Sequence, residues 1–228
     1  MTTRNPRGVL FDMDGTIIDS EPYWITAEVE LVEEYGGTWT QEQAYALVGS
    51  GLLHSAKILQ DAGVALAADE IVMRLSHNVL DQLNKAIPWR AGARELFREI
   101  LDAGVPCALV TMSLRMNAEV LSAAIDKELG QKVFQAIVAG DDVADPKPHP
   151  EAYLRGAELL GLDPADCVAF EDSGYGAQSA LTAGATTIGV PLHIPISETV
   201  VHELWDSLEG RGLAEVRAAW HRHTGRDA

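Results

Sequence analysis

The 228-residue chain predicts an α/β protein with a central parallel sheet and an inserted small α-helical domain. Three observations predict it. Five short apolar runs read as buried strands: Val9–Phe11, Pro106–Val110, Phe134–Ala139, Cys167–Phe170 and Thr186–Val190. Helical patterns separate most of them, and such alternation builds a parallel sheet with helices on both faces. The first interval is the exception, because residues 20–88 read as helices with no strong strand. A loop of that length is implausible in a compact domain, so an inserted helical domain is the better reading.

The elements follow in order. Glycines at Gly36-Gly37, Gly49-Ser50-Gly51 and Ala62-Gly63 break the block 20–88 into separate helices. Hinges fall near Asp19–Ser20 and Pro88–Gly92, which assigns 1–18 and 89–228 to the core domain and 19–88 to the helical insert. Between the later strands, Ala93–Ala103 sets Leu96, Phe97, Ile100 and Leu101 on one face, and Ala118–Ile125 and Pro150–Leu160 behave similarly. In the tail 197–228, Leu204, Trp205 and Leu208 predict a packed amphipathic turn, Leu213, Val216 and Trp220 predict a final helix, and the last residues fray.

The chain carries 34 acids against 17 bases, a formal charge of −17. That argues against general nucleic-acid binding and against attraction to an anionic membrane. An anionic substrate must then be drawn in by a local site. No stretch approaches the roughly 18 apolar residues of a membrane span. The start, Met1 to Arg7, holds no apolar signal core. Cys107 and Cys167 sit in apolar runs and read as buried thiols of a reducing compartment. The expectation is a cytoplasmic monomer acting on a small molecule.

Four strand ends carry the chemistry, at the rim where ligands bind in open α/β sheets. The first ends in Asp12-Met13-Asp14-Gly15-Thr16. Two acids there can favour an Asx turn, hold a hard metal ion, or supply a nucleophile. A calcium loop starting at Asp12 fails, since Thr16, Ile17 and Tyr23 stand where an acid or amide, a glycine and a glutamate are required. The second ends in Val110-Thr111-Met112-Ser113 before a helix, where a hydroxyl beside free amides serves as an N-cap or completes an anion site. The third is followed by Gly140-Asp141-Asp142 and Asp145-Pro146-Lys147-Pro148-His149-Pro150. Prolines at 146, 148 and 150 stiffen the backbone around Lys147, which fits neutralisation of a phosphate or a carboxylate. The fourth ends in Phe170-Glu171-Asp172-Ser173-Gly174-Tyr175-Gly176, whose acids either favour the next helix N-terminus or complete a magnesium shell with Asp12 and Asp14.

In this order the motifs resemble the haloacid dehalogenase superfamily in its phosphatase branch: DMDGT at 12–16, Thr111, Lys147 and EDSGYG at 171–176. The likeness extends to GDDV at 140–143, KPHP at 147–150 and Ala183-Gly184, and spans about residues 8–190. It implies a Rossmann-like core, and residues 19–88 match the small helical cap of the branch containing β-phosphoglucomutase and sugar-phosphate phosphatases.

The resemblance implies a role for each matched residue. Asp12 attacks phosphorus and forms an aspartyl-phosphate. Asp14 protonates the leaving alcohol and then activates water. Mg2+ is held by Asp12, the backbone carbonyl of Asp14, and Asp172, with Glu171 as a direct or outer partner. Thr111 bonds the phosphoryl oxygens with amides near Met13–Asp14 and Met112, and Lys147 offsets negative charge on Asp12. Dehalogenases of this fold lack the second acid, so Asp14 argues against that activity.

The substrate expected is a small phosphorylated metabolite, a sugar or polyol phosphate. The alternatives are a β-phosphoglucomutase-type mutase and a non-catalytic phosphosugar-binding protein. Trp24 and Leu52 stand where the mutase carries a histidine and an arginine, although His54 lies nearby. The segment Ile18–Trp24 resembles sugar-phosphate phosphatases instead. Substrate contacts are assigned to Glu21, Trp24, Gly49, Ser50 and His54 of the cap and to Met112, Ser113 and Arg115 of the core. Trp24 either stacks on a sugar or joins cap to core.

Overall fold

A computed structural model describes residues 5–225. Met1–Arg4, part of the segment read as lacking a signal core, and Arg226–Ala228, part of the tail expected to fray, lie outside the described residues. Six parallel strands form one sheet in the order β3-β2-β1-β4-β5-β6. They are β1 (Gly8–Phe11), β2 (Cys107–Val110), β3 (Phe134–Val138), β4 (Cys167–Glu171), β5 (Thr186–Gly189) and β6 (Glu203–Leu204). The first five coincide with the predicted runs. The sixth replaces the predicted amphipathic turn: Glu203 and Leu204 pair with β5, while Trp205 and Leu208 pack inward as expected. Two residues are too few to show a strand period in the sequence.

Alternation along each central strand splits the core in two. Val9, Phe11, Leu109, Val168 and Phe170 point to one face, where Phe11 stacks on Phe170 with ring centroids 5.1 Å apart. That face is covered by α5 (Ala93–Asp102), α6 (Arg115–Leu129) and α9 (Leu213–Thr224). Leu10, Ala108, Val110 and Ala169 point to the other face, against α7 (Glu151–Leu159) and α8 (Gly174–Ala183). Both cysteines are buried and free, and burial holds their thiols well above the usual range.

Between β1 and α5 the chain leaves the sheet and makes four helices: α1 (Glu21–Glu34), α2 (Gln41–Tyr45), α3 (Leu52–Asp61) and α4 (Ala68–Leu83). The breaks between them fall at the three glycine-containing segments read from the sequence. The outgoing and returning strands of backbone run side by side. The Asp19 amide donates to the Pro88 carbonyl, the Arg90 amide donates to the Ile17 carbonyl, and Ile18 bridges Trp89. Buried side chains of α1, α3 and α4 join the same apolar cluster as the α5–α9 face of the sheet. Asn117 at the start of α6 donates to the Ser76 carbonyl of α4. Among the described residues no helix is long and apolar enough to cross a membrane.

Candidate active site

The site lies at the carboxyl ends of β1, β2 and β4, roofed by α1 and the segment before α3. Asp12 follows β1 directly and is anchored by its amide to the Phe170 carbonyl. The chain then turns back on itself: the Ile17 amide reaches the Met13 carbonyl, and the Gly15 amide reaches Ile18. Gly15 makes the turn possible. Its φ is +78°, and a Cβ there would fall onto the carboxylate of Asp172. Arg90, buried at the returning hinge, clamps the turn by donating to the carbonyls of Gly15 and Val190, each at 2.5 Å.

Lys147 is the organising cation. Its ammonium, 5% exposed as a residue, donates to Asp12 at 2.8 Å, to Glu171 at 2.6 Å and to the Val110 carbonyl at 2.9 Å. Burial acts to lower its pKa, and the carboxylates of Asp12 and Glu171 outweigh it, so the group stays above the usual lysine range. Glu171 also accepts the Tyr153 hydroxyl at 2.7 Å and the Ser173 hydroxyl at 3.3 Å. Both of its oxygens are therefore partnered by protein donors, and it fixes Lys147 in place.

Asp12 and Asp172 are different. Burial pushes Asp12 up to about 7, Glu171 adding to the rise and Lys147 opposing it. Asp172 is driven well above the carboxylate range by burial and by Asp12. Oδ2 of Asp12 is buried with no hydrogen-bond partner. Ligand atoms of Asp12, Glu171 and Asp172 lie within 4.8 Å of one another. Three buried acids, one of them with an orphaned carboxylate oxygen, make an oxygen-ligand set that fits a hard divalent cation.

Asp14 occupies the centre of the cavity, and both its oxygens are engaged. Oδ1 accepts the Ser20 hydroxyl at 2.5 Å and the Trp24 indole N–H at 3.2 Å; Oδ2 accepts the Ser113 hydroxyl at 2.6 Å and that of Thr111 at 3.5 Å. Thr111 in turn accepts the Ser113 amide, which braces the end of β2. Trp24 thus joins the helical insert to the turn after β1 and lines the cavity.

The cavity measures about 80 Å³ and is lined by every predicted substrate residue except His54 and Arg115. Glu21, Trp24, Gly49, Ser50, Met112 and Ser113 line it with Asp12, Asp14, Thr111, Lys147 and Asp172. His54 is a correction: in the first turn of α3, Leu52 and Ser55 face the cavity, and the helical period turns His54 out to solvent. Arg115 is a second correction. At the first position of α6 its guanidinium pairs with Asp142 and Glu119 and reaches the Ile137 carbonyl, beside the acids that follow β3. Sequence reasoning missed Ser20, Tyr153 and Glu28. Of these, only Glu28 left a trace, since positions 21, 24 and 28 share one helical face.

The chain is 33% identical over 80% of its length to the bifunctional riboflavin kinase/FMN phosphatase of Arabidopsis thaliana, of which it spans 48%. It is 31% identical to a phosphorylated carbohydrates phosphatase of Thermotoga maritima, covering 92% of this chain and 91% of that one. The solved structure of CbbY from Rhodobacter sphaeroides in complex with phosphate superposes with a TM-score of 0.81 at 27% identity, over 92% of this chain and 98% of CbbY. The family model for haloacid dehalogenase-like hydrolases matches residues 9–190, and the chain belongs to that family.

Proposed function

We propose that the protein is a magnesium-dependent phosphatase that hydrolyses a small phosphomonoester, a sugar or polyol phosphate, through an aspartyl-phosphate on Asp12. The observation that carries this reading is the convergence of Asp12, Asp14, Lys147 and Asp172 on one cavity from two strand ends and one loop. The relative named a phosphorylated carbohydrates phosphatase supports the substrate class.

Asp12 is the nucleophile, and its Oδ1 is held by Lys147. Asp12, Asp172 and the Asp14 carbonyl are the residues to hold Mg2+, which when bound supplies charge stabilisation at the transferring phosphoryl group. Glu171 acts through Lys147. Asp14, fixed between cap and core, donates a proton to the leaving oxygen and later takes one from the attacking water. Thr111 and Ser113 present hydroxyls to the same space. The four helices over 19–88 act as a cap that opens to admit substrate and closes to exclude bulk water.

Several features weigh against the mutase reading. Leu52 lines the cavity where a second phosphate needs an arginine, and His54 faces away. A non-catalytic binding role leaves the orphaned oxygen of Asp12 without a use. The test is phosphate release from hexitol and hexose phosphates with Mg2+. Asp12→Asn abolishes release, and Asp14→Asn lowers it by at least about 100-fold while the unfolding temperature is kept. Near-normal release by Asp14→Asn refutes its acid–base role.

A further inference from the structure

Glu21 and Glu28 stand on the face of α1 that roofs the cavity, one turn either side of Trp24. Both are buried, at 8% and 5% exposed, and both line the cavity. Glu28 is held from behind by the Trp39 indole N–H at 3.0 Å, donating to Oε2. Glu21 accepts no hydrogen bond and joins no ion pair among the described residues. Its residue is buried, and it lines the cavity. Burial pushes Glu21 up to about 8, Asp14 adding to the rise, and pushes Glu28 up to about 7.

The rest of the lining sharpens the point. Ser50 and Ser55 add hydroxyls to the lining. Lys147 is the sole cation among the lining residues, and its ammonium is fully spent on Asp12, Glu171 and the Val110 carbonyl. A hydroxyl or ammonium donor arriving at these acids favours their ionised form, and a second anion opposes it. The catalytic acids fix where the phosphate goes, so the α1 wall faces whatever the phosphate is attached to.

We propose that Glu21 and Glu28 form a leaving-group subsite that accepts hydrogen-bond donors, hydroxyl or ammonium, and rejects any leaving group bearing a second anion. This deepens the phosphatase reading and rests on it for the position of the phosphate. Bisphosphates and phosphorylated carboxylic acids bring a second anion that opposes ionisation of both acids and meets no unspent cation in the lining, although their phosphoryl ends are chemically equivalent. Hydroxylated and aminated monophosphates share the donor chemistry that the wall requires.

The test separates binding from turnover. Asp12→Asn protein loaded with Mg2+ is titrated calorimetrically with mannitol 1-phosphate, glucosamine 6-phosphate, 2-phosphoglycolate and fructose 1,6-bisphosphate. The first two bind more tightly than the last two by on the order of 100-fold. Glu21→Gln shrinks that margin at least about tenfold, and it breaks no hydrogen bond of the fold. Glu28→Gln keeps an acceptor, so it costs the ammonium ligand more than the hydroxyl ligand. A preference confined to mannitol 1-phosphate or to glucosamine 6-phosphate supports the subsite and identifies its donor. Phosphoglycolate or the bisphosphate binding as tightly as mannitol 1-phosphate overturns the proposal, as does a margin untouched in both glutamate variants. Retained binding preference in a wild-type protein that releases no phosphate from any of the four, or from p-nitrophenyl phosphate, would sink the phosphatase reading and leave the subsite standing.

Discussion

Asp14 shows how a single carboxylate can be held by two domains at once. Its oxygens accept bonds from Ser20 at the hinge, Trp24 on the cap, and Ser113 and Thr111 on the core. Orientation of an acid matters most when the leaving group needs its proton. Trp24→Phe keeps the packing and removes one donor. It lowers kcat on an alkyl phosphate about tenfold, with KM little changed. On p-nitrophenyl phosphate, whose leaving group needs no proton, the same variant stays close to wild type. Equal losses on both substrates would show that Trp24 serves packing alone.

Turns and helix faces do the placing at the next scale. The turn after β1 depends on Gly15, which combines a left-handed backbone with contact against Asp172. Gly15→Ala is strained in both respects. It destabilises the fold by about 1 kcal/mol or more, and it displaces Asp172 from the proposed magnesium ligands. The magnesium concentration for half-maximal phosphate release rises accordingly, and a metal titration of the variant checks it. The face of α1 is the second device. A single helix carries the donor that fixes Asp14 and the two acids that face the leaving group, so a small tilt of α1 moves all three together.

Cap and core meet across a seam, and the balance of the whole molecule is set there. Tyr45 of α2 stacks on His193 at 5.5 Å between ring centroids, and His193 lies 2.8 Å from Asp19 at the hinge. Tyr45→Ala removes an aromatic pair of about 0.5–1.5 kcal/mol. Amide exchange over residues 41–61 then speeds up a few-fold, while exchange in the central strands is unchanged. Stability as a whole also responds to pH through buried Glu28. Its folded-state pKa of about 7 lies above the ordinary 4.5, because burial outweighs the Trp39 bond. The folded protein keeps a proton that the unfolded chain gives up. Glu28 therefore contributes its full stabilisation below about pH 4.5 and loses it as pH rises through about 7. The loss is on the order of 3 kcal/mol. Urea unfolding of wild type and Glu28→Gln at several pH values shows it: the advantage of wild type over the variant shrinks from pH 5 to pH 8. A constant difference would mean that Glu28 is ionised throughout.

The sequence by itself determined the five principal strands, the helical insert and which strand-end residues gather at one cavity. These are written in local apolar runs, in glycine breaks, and in DMDGT, Thr111, Lys147 and EDSGYG, whose chemistry is tied to strand ends. The helix around 118–125 was legible too, though it runs further, from Arg115 to Leu129, because terminal turns carry less of the apolar stripe. Only the tertiary structure decided which groups meet. No periodicity could show that Glu171 is taken up by Lys147, Tyr153 and Ser173, or that Trp24 reaches Asp14 instead of solvent. It decided that His54 and Arg115 point elsewhere, since one residue along a helix is a rotation of about 100°. Contacts between residues far apart in the chain depend on how the cap is set on the sheet, and that angle is a property of packing, not of any local run of residues.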